Sequence, residues 1–438
     1  MRLNNASVGE VVERQLCCGC GACAYIDPVH IHIVDDSRTG RRPIVHADQE
    51  PTQARDALAV CPGVCLEHDF DSHNPDLIRE LLDAWGPIQE VWEGYAADSE
   101  IRFAGSSGGA VSALALFCME RLGFHGVLHT AARPDVPYLN HTVLSTTRAE
   151  ILERTGSRYA PASPCDGLQM VEEAPGLCVF IGKPCDVAAV RNACRLHPTL
   201  DEKIGLTIAL FCAGTPNTRA TLNLLRRLGV ETAARIIDLR YRGQGWPGRF
   251  TVRFLDCAGM EKEQSLSYEE SWGLLTNDKQ WRCHICPDHT GEFADIAVGD
   301  PWYRSVRPGE PGTSLMLART PRGMRLLHAA NHTDYITLEH GESALLPLSQ
   351  SNLLRGRAAV WGRCLALRCM GLAVPRFKGF PMFRFWLARL SLLEKARSMF
   401  GTLKRAIRKR LFQPTNVIPY QPTAVSPEQP SSVAVTSE

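Results

Sequence analysis

The sequence predicts an α/β fold, α+β when the whole chain is counted. A small cysteine-rich module comes first, then a mixed α/β core, C-terminal helices and a disordered tail. Three observations carry this prediction. Two strand–loop–helix units follow one another, 177-LCVFIG-182 with 186-DVAAVRNACRL-196 and 204-IGLTIALF-211 with 218-TRATLNLLRRLG-229, and such alternation builds a sheet covered by helices. A glycine–serine run, 105-GSSGG-109, opens directly into the apolar helix 110-AVSALALFCMERLG-123. The third is the cysteine content, 17 in a chain of 438 residues, with a dense group before residue 25.

The bulk properties exclude several classes. A hydrophobic content of 45% supports a large core, and the length suits two or three domains. A formal net charge of +1 provides no global field for nucleic acid. The N-terminal stretch MRLNNASVGEVVERQ is polar, so no secretory signal is expected. No uncharged apolar run reaches the roughly 18 residues of a membrane span. Many cysteines without an export signal point to the cytoplasm, where thiols more often bind metal than pair.

In chain order, residues 1–75 read as a first unit. It has short strands at 31-IHIV-34 and 43-PIVHA-47 around the turn 35–42, then a helix at 52–60 ending in 61-CPGVC-65. Residues 76–350 form the core. After the helix 110–123 comes a strand at 124–132 and a helix at 147–156. The two strand–helix units follow, then β-rich pieces at 236–242 and 249–256. Next are 283-CHIC-286 and a last strand-like run, 294-ADIAV-298. Residues 351–412 are the C-terminal helical region, and 413–438, proline-rich without Lys or Arg, are expected to be disordered.

The stretch 16-LCCGCGACAYIDP-28 has Cys17, Cys20 and Cys23 at C-x2-C-x2-C spacing, but Asp27 stands where a fourth cysteine would precede Pro28. In two-cluster ferredoxins that fourth cysteine serves the other cluster, while the first three close their own site with a remote cysteine. Cys61-Pro62 supplies that partner. The expected site is one [4Fe–4S] cluster on Cys17, Cys20, Cys23 and Cys61, with Cys18 and Cys65 as neighbours and Cys65 the weaker substitute for Cys61. Gly19 and Gly21 let the backbone wrap the cluster closely.

A second set lies in the core. Cys185 and Cys212 each follow a predicted strand, and Cys283-x2-Cys286 adds two thiols. If the strands are parallel neighbours, both loops open at one carboxyl edge, where α/β sites form. Four thiols there suit a second [4Fe–4S] cluster or a structural zinc. The first module favours the cluster, since an electron arriving there needs a neighbour to receive it. Cys118, Cys178 and Cys194 read as buried small hydrophobes. Cys165, Cys257, Cys364 and Cys369 have no usable partner spacing.

The run Gly105-Ser106-Ser107-Gly108-Gly109 before a helix is an anion cradle in outline, although a plain N-cap reads the same way. A second site, 156-GSRY-159, adds the cation of Arg158 and the ring of Tyr159. A pyrophosphate grip beside a flat heterocycle suits a dinucleotide such as FAD.

Together CCGCGAC, CPG, GSSGGAVSAL, GSRY, GKPC, LFCAG, RYRGQGWPG and CHICPDH followed by ADIAVGD resemble the beta-subunit family of coenzyme F420 hydrogenases and dehydrogenases, from about residue 15 to 360. The resemblance implies an iron–sulfur flavoprotein that passes electrons between clusters, FAD and an acceptor, in many members coenzyme F420. Relatives include ferredoxin-dependent reductases of chlorophyll metabolism, so ferredoxin or a partner redox subunit is an expected electron partner. By position, Ser106, Ser107, Gly108 and Gly109 would contact FAD, with Gly156, Ser157, Arg158 and Tyr159 nearby. Arg158 stands where lysine is common in the family, and Lys183 where many members are uncharged. Lys183 and Asp300 are weak catalytic candidates, Asp300 equally a structural or cofactor-adjacent residue. Two readings stand beside the oxidoreductase: an electron-transfer subunit without its own substrate, and a zinc-stabilised non-redox module.

Outside the resemblance, residues 376–412 carry eleven Lys/Arg against one Glu, with aromatic and aliphatic residues interleaved. Such a helix can lie on an anionic membrane or bind a partner, consistent with a small or lipid-linked substrate. The plainer expectation is a solvated helix packed on the core.

Overall fold

The computed structural model describes residues 7–46, 51–230, 235–307 and 309–422. Residue 47 of the expected second strand and residues 423–438 of the expected tail lie outside them. Strands β1 (Ile31–Asp36) and β2 (Gly40–Val45) form an antiparallel hairpin with Asp36 opposite Gly40. The turn is tighter than the expected 35–42, because Asp36 Oδ1 accepts the amides of Arg38 and Thr39 at 2.8 and 3.1 Å. The helix Pro51–Ala59 and the short strand β3 (Cys65–Glu67) complete this region.

The core strands are β4 (Glu90–Ala96), β5 (Gly126–Ala132), β6 (Asn140–Ser145), β7 (Cys178–Gly182) and β8 (Ile204–Leu210). After them come β9 (Arg235–Arg240), β10 (Arg249–Leu255), β11 (Glu261–Ser267), β12 (Ile296–Gly299), β13 (Ser314–Ala318) and β14 (Ile336–His340). Eight of these build one mixed sheet in the order β14-β4-β13-β12-β8-β7-β5-β6. Its centre, β12-β8-β7-β5, is parallel throughout, so β7 and β8 meet the condition under which both following loops open at one edge. The run 294–298 is not the last strand, since β13 and β14 follow and close the sheet beyond β12 through antiparallel pairings. Strands β9, β10 and β11 form a separate antiparallel sheet.

Period-2 alternation assigns the faces of the large sheet. Val127, Val179, Ile208, Ile296 and Met316 pack under the helices Ala110–Leu122 and Pro321–His332. Their neighbours Leu128, Phe180, Ala209, Ala297 and Leu317 pack on the other face, against the helix Pro184–Leu196 and the N-terminal residues Cys20, Ala22 and Tyr25. The cysteine module therefore shares the core of that face. Fully burying each such Leu, Val or Phe side chain stabilises by about 1.5–3 kcal/mol.

After the helices Ser351–Ala358 and Val360–Cys369, strand β15 (Arg376–Lys378) pairs in parallel with β3. The segment 376–412 is thus a strand and two helices, Met382–Arg389 and Leu392–Arg408. Residues 413–422 correct the expected tail. Thr415 donates its amide to Glu13 O at 2.9 Å, Ile418 to Asp36 Oδ2 at 2.8 Å and Tyr420 to Asp35 O at 2.7 Å, which lays this stretch along the N-terminal hairpin. Among the described residues no helix is long and apolar enough to cross a membrane.

Candidate functional site

The N-terminal cysteines surround a small cavity lined by Cys17, Cys18, Cys20, Cys23 and Cys61, with valines of the first helix. The predicted wrap is present: Gly19 and Gly21 have φ +74° and +91°. Gly21 is tightly enclosed as well, since a Cβ there would meet the Asp166 amide nitrogen at 2.8 Å. Gly19 donates its amide to Cys17 Sγ at 3.3 Å, the kind of N–H···S bond that tunes a cluster thiolate. Asp27 is fully buried and faces His30, whose Nδ1 lies 2.9 Å from its Oδ1. It also accepts the His30 amide at 3.3 Å, which fixes the entry into β1. Cys65 opens β3, while Cys61 lines the cavity.

The second set sits at the carboxyl edge of the parallel strands. Lys183 caps the helix after β7, so Cys185 lies in the first helical turn rather than in a loop. Cys212 follows β8, and Cys283 sits in the short 3-10 turn Trp281–Ile285. The loop carrying Cys283 and Cys286 is held against that carrying Cys212. Cys212 donates its amide to His289 O at 2.9 Å, and His289 Nδ1 lies 3.0 Å from Cys212 O. Thr215 donates its amide to Cys283 Sγ at 3.4 Å. Cys212, Cys283 and Cys286 are electrostatic neighbours, and burial pushes the Cys212 and Cys286 thiols up to about 12. Thiols so buried ionise only when a cation or a cluster offsets the desolvation. Amides aimed at sulfur and thiols that need such a partner fit an iron–sulfur group at either set. Among the described residues, no three His, Cys, Asp or Glu side chains form a ligand set for a single metal ion.

The two sets approach one another: the Cys18 thiol is an electrostatic neighbour of Cys185 and of Cys20. Cys20 in turn contacts Cys165, whose amide donates to Cys20 O at 2.9 Å. Sequence spacing gave no sign of Cys165, because its proximity arises only from the packing of the 3-10 turn Pro164–Gly167 on the cysteine loop. Lys183 Nζ reaches Asp186 Oδ2 at 2.6 Å, and the electrostatics of Cys185 and Cys212 both act on it. Burial raises the Asp186 carboxyl to about 6, against the opposing pull of Lys183. Lys183 is therefore a fixed positive charge among the thiols.

The glycine–serine run packs at the same edge. Gly109 has φ +71°, and a Cβ there would meet Ile101 O at 2.6 Å, so the turn into the helix Ala110–Leu122 needs glycine. Ser106 Oγ accepts the Ser157 amide at 2.6 Å, and Ser107 Oγ lies 2.8 Å from Ser314 Oγ. Gly108 donates its amide to Ser314 Oγ at 3.0 Å. The Ser106–Ser157 bond joins the two small-residue stretches read as FAD contacts, and Ser314 of β13 holds the first of them without a sequence signal. The loop Gly243–Gly248 closes over them: Gly245 donates its amide to Phe103 O at 2.8 Å, and a Cβ on Gly156 would meet Arg242 O at 3.1 Å.

The Arg158 side chain has four protein acceptors. It donates to Asn140 Oδ1 and to the carbonyls of Leu239, Pro137 and Leu139, tying β9 to the segment before β6. Tyr159 lies tilted against Trp272, ring centres 4.7 Å apart, within a group of rings that includes Tyr241 and Tyr268. Asp300, just past β12, takes a bidentate pair from Arg242 at 2.7 and 2.6 Å and the indole N–H of Trp246 at 3.0 Å. Arg242 is 2% exposed and lies under Tyr268 and Trp302, with its guanidinium carbon 4.5 and 5.3 Å from the ring centres. Arg242 and Trp246 of this group come from the motif RYRGQGWPG, in which Gly245 and Gly248, at φ +100° and +83°, flank Trp246-Pro247.

The glycine–serine turn and the second cysteine set thus lie at the carboxyl edge of the parallel strands of an α/β protein. The patterns of the family described as coenzyme F420 hydrogenase/dehydrogenase, beta subunit, match residues 91–169 for its N-terminal part and 177–344 for its C-terminal part. The chain belongs to this family of oxidoreductase subunits. It is 25% identical over 211 residues to the coenzyme F420 hydrogenase subunit beta of Methanosarcina barkeri, covering 47% of this chain and 67% of that one. It is 24% identical over 305 residues to one of the subunits of the F(420)H(2) dehydrogenase of Methanosarcina mazei, covering 67% and 77%. A chain of the F420-reducing [NiFe] hydrogenase complex of Methanosarcina barkeri superposes with TM-score 0.49 at 20% identity, over 64% of this chain and 94% of that one.

Proposed function

We propose that this chain is an iron–sulfur flavoprotein oxidoreductase that moves electrons between two [4Fe–4S] clusters, FAD and a final partner. That partner is coenzyme F420, ferredoxin or an organic substrate. The observation that carries the reading is that Cys18 and Cys185, from cysteine sets distant in sequence, are electrostatic neighbours, so the N-terminal cysteine turn lies at the sheet edge that carries Cys185. Cys17, Cys20, Cys23 and Cys61 would hold the first cluster, and Cys185, Cys212, Cys283 and Cys286 the second. Ser106, Ser107, Gly108, Gly109, Gly156, Ser157, Arg158 and Tyr159 would border the FAD.

When bound, FAD converts a two-electron hydride into single electrons, which iron–sulfur clusters carry one at a time. The chain's own residues do the rest. The amides of Gly19 and Thr215 donate to sulfur and lower the cost of negative charge there. The positive charge of Lys183 acts in the same direction on Cys185 and Cys212. The turn at Gly108-Gly109 opens the N-terminus of the helix Ala110–Leu122, where an anion is favoured. Arg242 and Asp300 neutralise one another under the aromatic group and hold its rings in place.

The relatives are named as subunits, which favours a redox partner chain here as well. The test is anaerobic. Reduced ferredoxin added to the cluster- and flavin-loaded chain should bleach the flavin, and oxidised coenzyme F420 should restore its colour. A flavin that stays oxidised with both clusters loaded contradicts the reading. Reoxidation by a partner chain, and by no small acceptor, moves the protein to the electron-transfer role alone.

A further inference from the structure

The last long helix, Leu392–Arg408, is packed with its apolar side outward. It is held to the helix Val360–Cys369 through small and hydroxylated residues. Ser398, Thr402 and Ala406 are buried, the latter two at 1% and 0% exposure. The approach is close, since a Cβ on Gly362 would meet Ser398 Oγ at 2.9 Å. The buried hydroxyls are satisfied within their own helix: Ser398 donates to Lys395 O and Thr402 to Ser398 O, each at 2.7 Å. The larger residues of the same helix point the other way. Leu393, Phe400 and Ile407 are 59%, 69% and 64% exposed. Their spacing of i, i+7 and i+14 puts them on one stripe, with Ala396 and Leu403 beside it. At 1.5 Å per residue the stripe spans about 21 Å.

Arg397, Lys404 and Arg408 fall next to this stripe on the helical wheel and are exposed. The only acid of the helix, Glu394, is turned back onto Ser391, accepting its amide and hydroxyl at 3.0 and 2.9 Å. The preceding helix adds exposed Phe383 and Leu387 at i and i+4, and Lys395 Nζ donates to Leu387 O at 2.8 Å where the two helices meet. None of this lies within residues 91–344, which carry the family match.

We propose that the outer face of the helices Met382–Arg389 and Leu392–Arg408 docks on an anionic lipid bilayer, lying in the plane of the headgroups. An exposed apolar stripe with arginine and lysine along its edge is the arrangement that buries into the headgroup boundary while its cations meet lipid phosphates. A protein interface is the less fitting occupant, because Arg397, Lys404 and Arg408 flank the stripe and the one acid of the helix is engaged by Ser391, so the face offers charge of one sign only, the complement of lipid phosphates. The arrangement holds the rest of the chain beside the membrane surface. It does not depend on the redox reading.

The test is flotation of the full chain with vesicles of phosphatidylglycerol in phosphatidylcholine, against phosphatidylcholine alone. The wild-type chain floats with the anionic vesicles, and raised salt weakens it. Replacing Arg397, Lys404 and Arg408 by Gln weakens binding by roughly a hundredfold, from about fivefold per cation. The triple change Leu393→Ser, Phe400→Ser, Ile407→Ser abolishes flotation while thermal unfolding stays at the wild-type temperature, since these side chains touch little of the fold. A wild-type chain that ignores anionic vesicles overturns the proposal. So does a triple serine variant that still floats, or one whose only change is dissociation of a wild-type oligomer.

Discussion

Cys18, in the N-terminal cysteine turn, and Cys185, in the first turn of the helix after β7, are electrostatic neighbours. Neither needs the other for local structure. Their proximity follows from docking the cysteine module on the same sheet face that carries Leu128, Phe180 and Ala209.

The first prediction separates neighbours from ligands. Cys18→Ser should keep the full iron content, because Cys17, Cys20, Cys23 and Cys61 close the first set without it. Cys20→Ser should lose roughly four iron per chain. Iron and acid-labile sulfide on anaerobically purified variants decide this, and iron loss in Cys18→Ser alone would exchange the two assignments.

The second concerns the rim. Cys283→Ser should remove about four iron and leave the N-terminal cluster's absorption in place. Loss of one zinc with no change in iron would instead make Cys185, Cys212, Cys283 and Cys286 a structural metal site.

The third tests the cradle. Gly109→Ala forces a Cβ into a left-handed turn against Ile101 O, at a cost of about 1–2 kcal/mol. The variant should unfold at a lower temperature and come away from purification with less flavin than wild type. An unchanged flavin content would place the dinucleotide elsewhere.

The fourth concerns Asp300, which the structure holds in a bidentate pair with buried Arg242. Asp300→Ala leaves that guanidinium uncompensated and should cost about 3–5 kcal/mol, read by chemical denaturation. A fully stable variant that has lost only turnover would make Asp300 a catalytic group.

The fifth is a pH effect. Glu292 joins His68, beside β3, at 2.8 Å and pairs with Arg357 of the helix Ser351–Ala358. Burial works against its carboxylate, but Arg357 and His68 outweigh burial and bring it down to about 2. A lowered acid stabilises above its unfolded value, near 4.5, and the gain disappears as pH falls toward 2. Stability should drop by roughly 3 kcal/mol across that window, and Glu292→Gln should flatten the profile.

The parallel centre of the sheet is readable in the sequence because β7 and β8 are continuous apolar runs, as strands buried on both faces must be. Strand β11, Glu261–Ser267, is not, because EKEQSLS is an exposed edge with hardly an apolar residue. The cysteine loop and the GSSGG turn are legible from local chemistry, where spacing and left-handed glycines carry the signal. Cys165, Ser314 and the Arg158 clamp are hidden, since each acquires its neighbours only through tertiary packing. The basic segment 376–412 shows its amphipathic character in the sequence. Which side faces outward depends on Gly362 and the small residues opposite it, and no periodicity in the segment reveals that.

The most direct test of the central claim is iron, acid-labile sulfide and flavin per chain, on protein purified without oxygen. The account predicts about eight iron, about eight sulfide and one FAD. A chain that takes up no flavin under any reconstitution, or holds zinc with no labile sulfide, contradicts it.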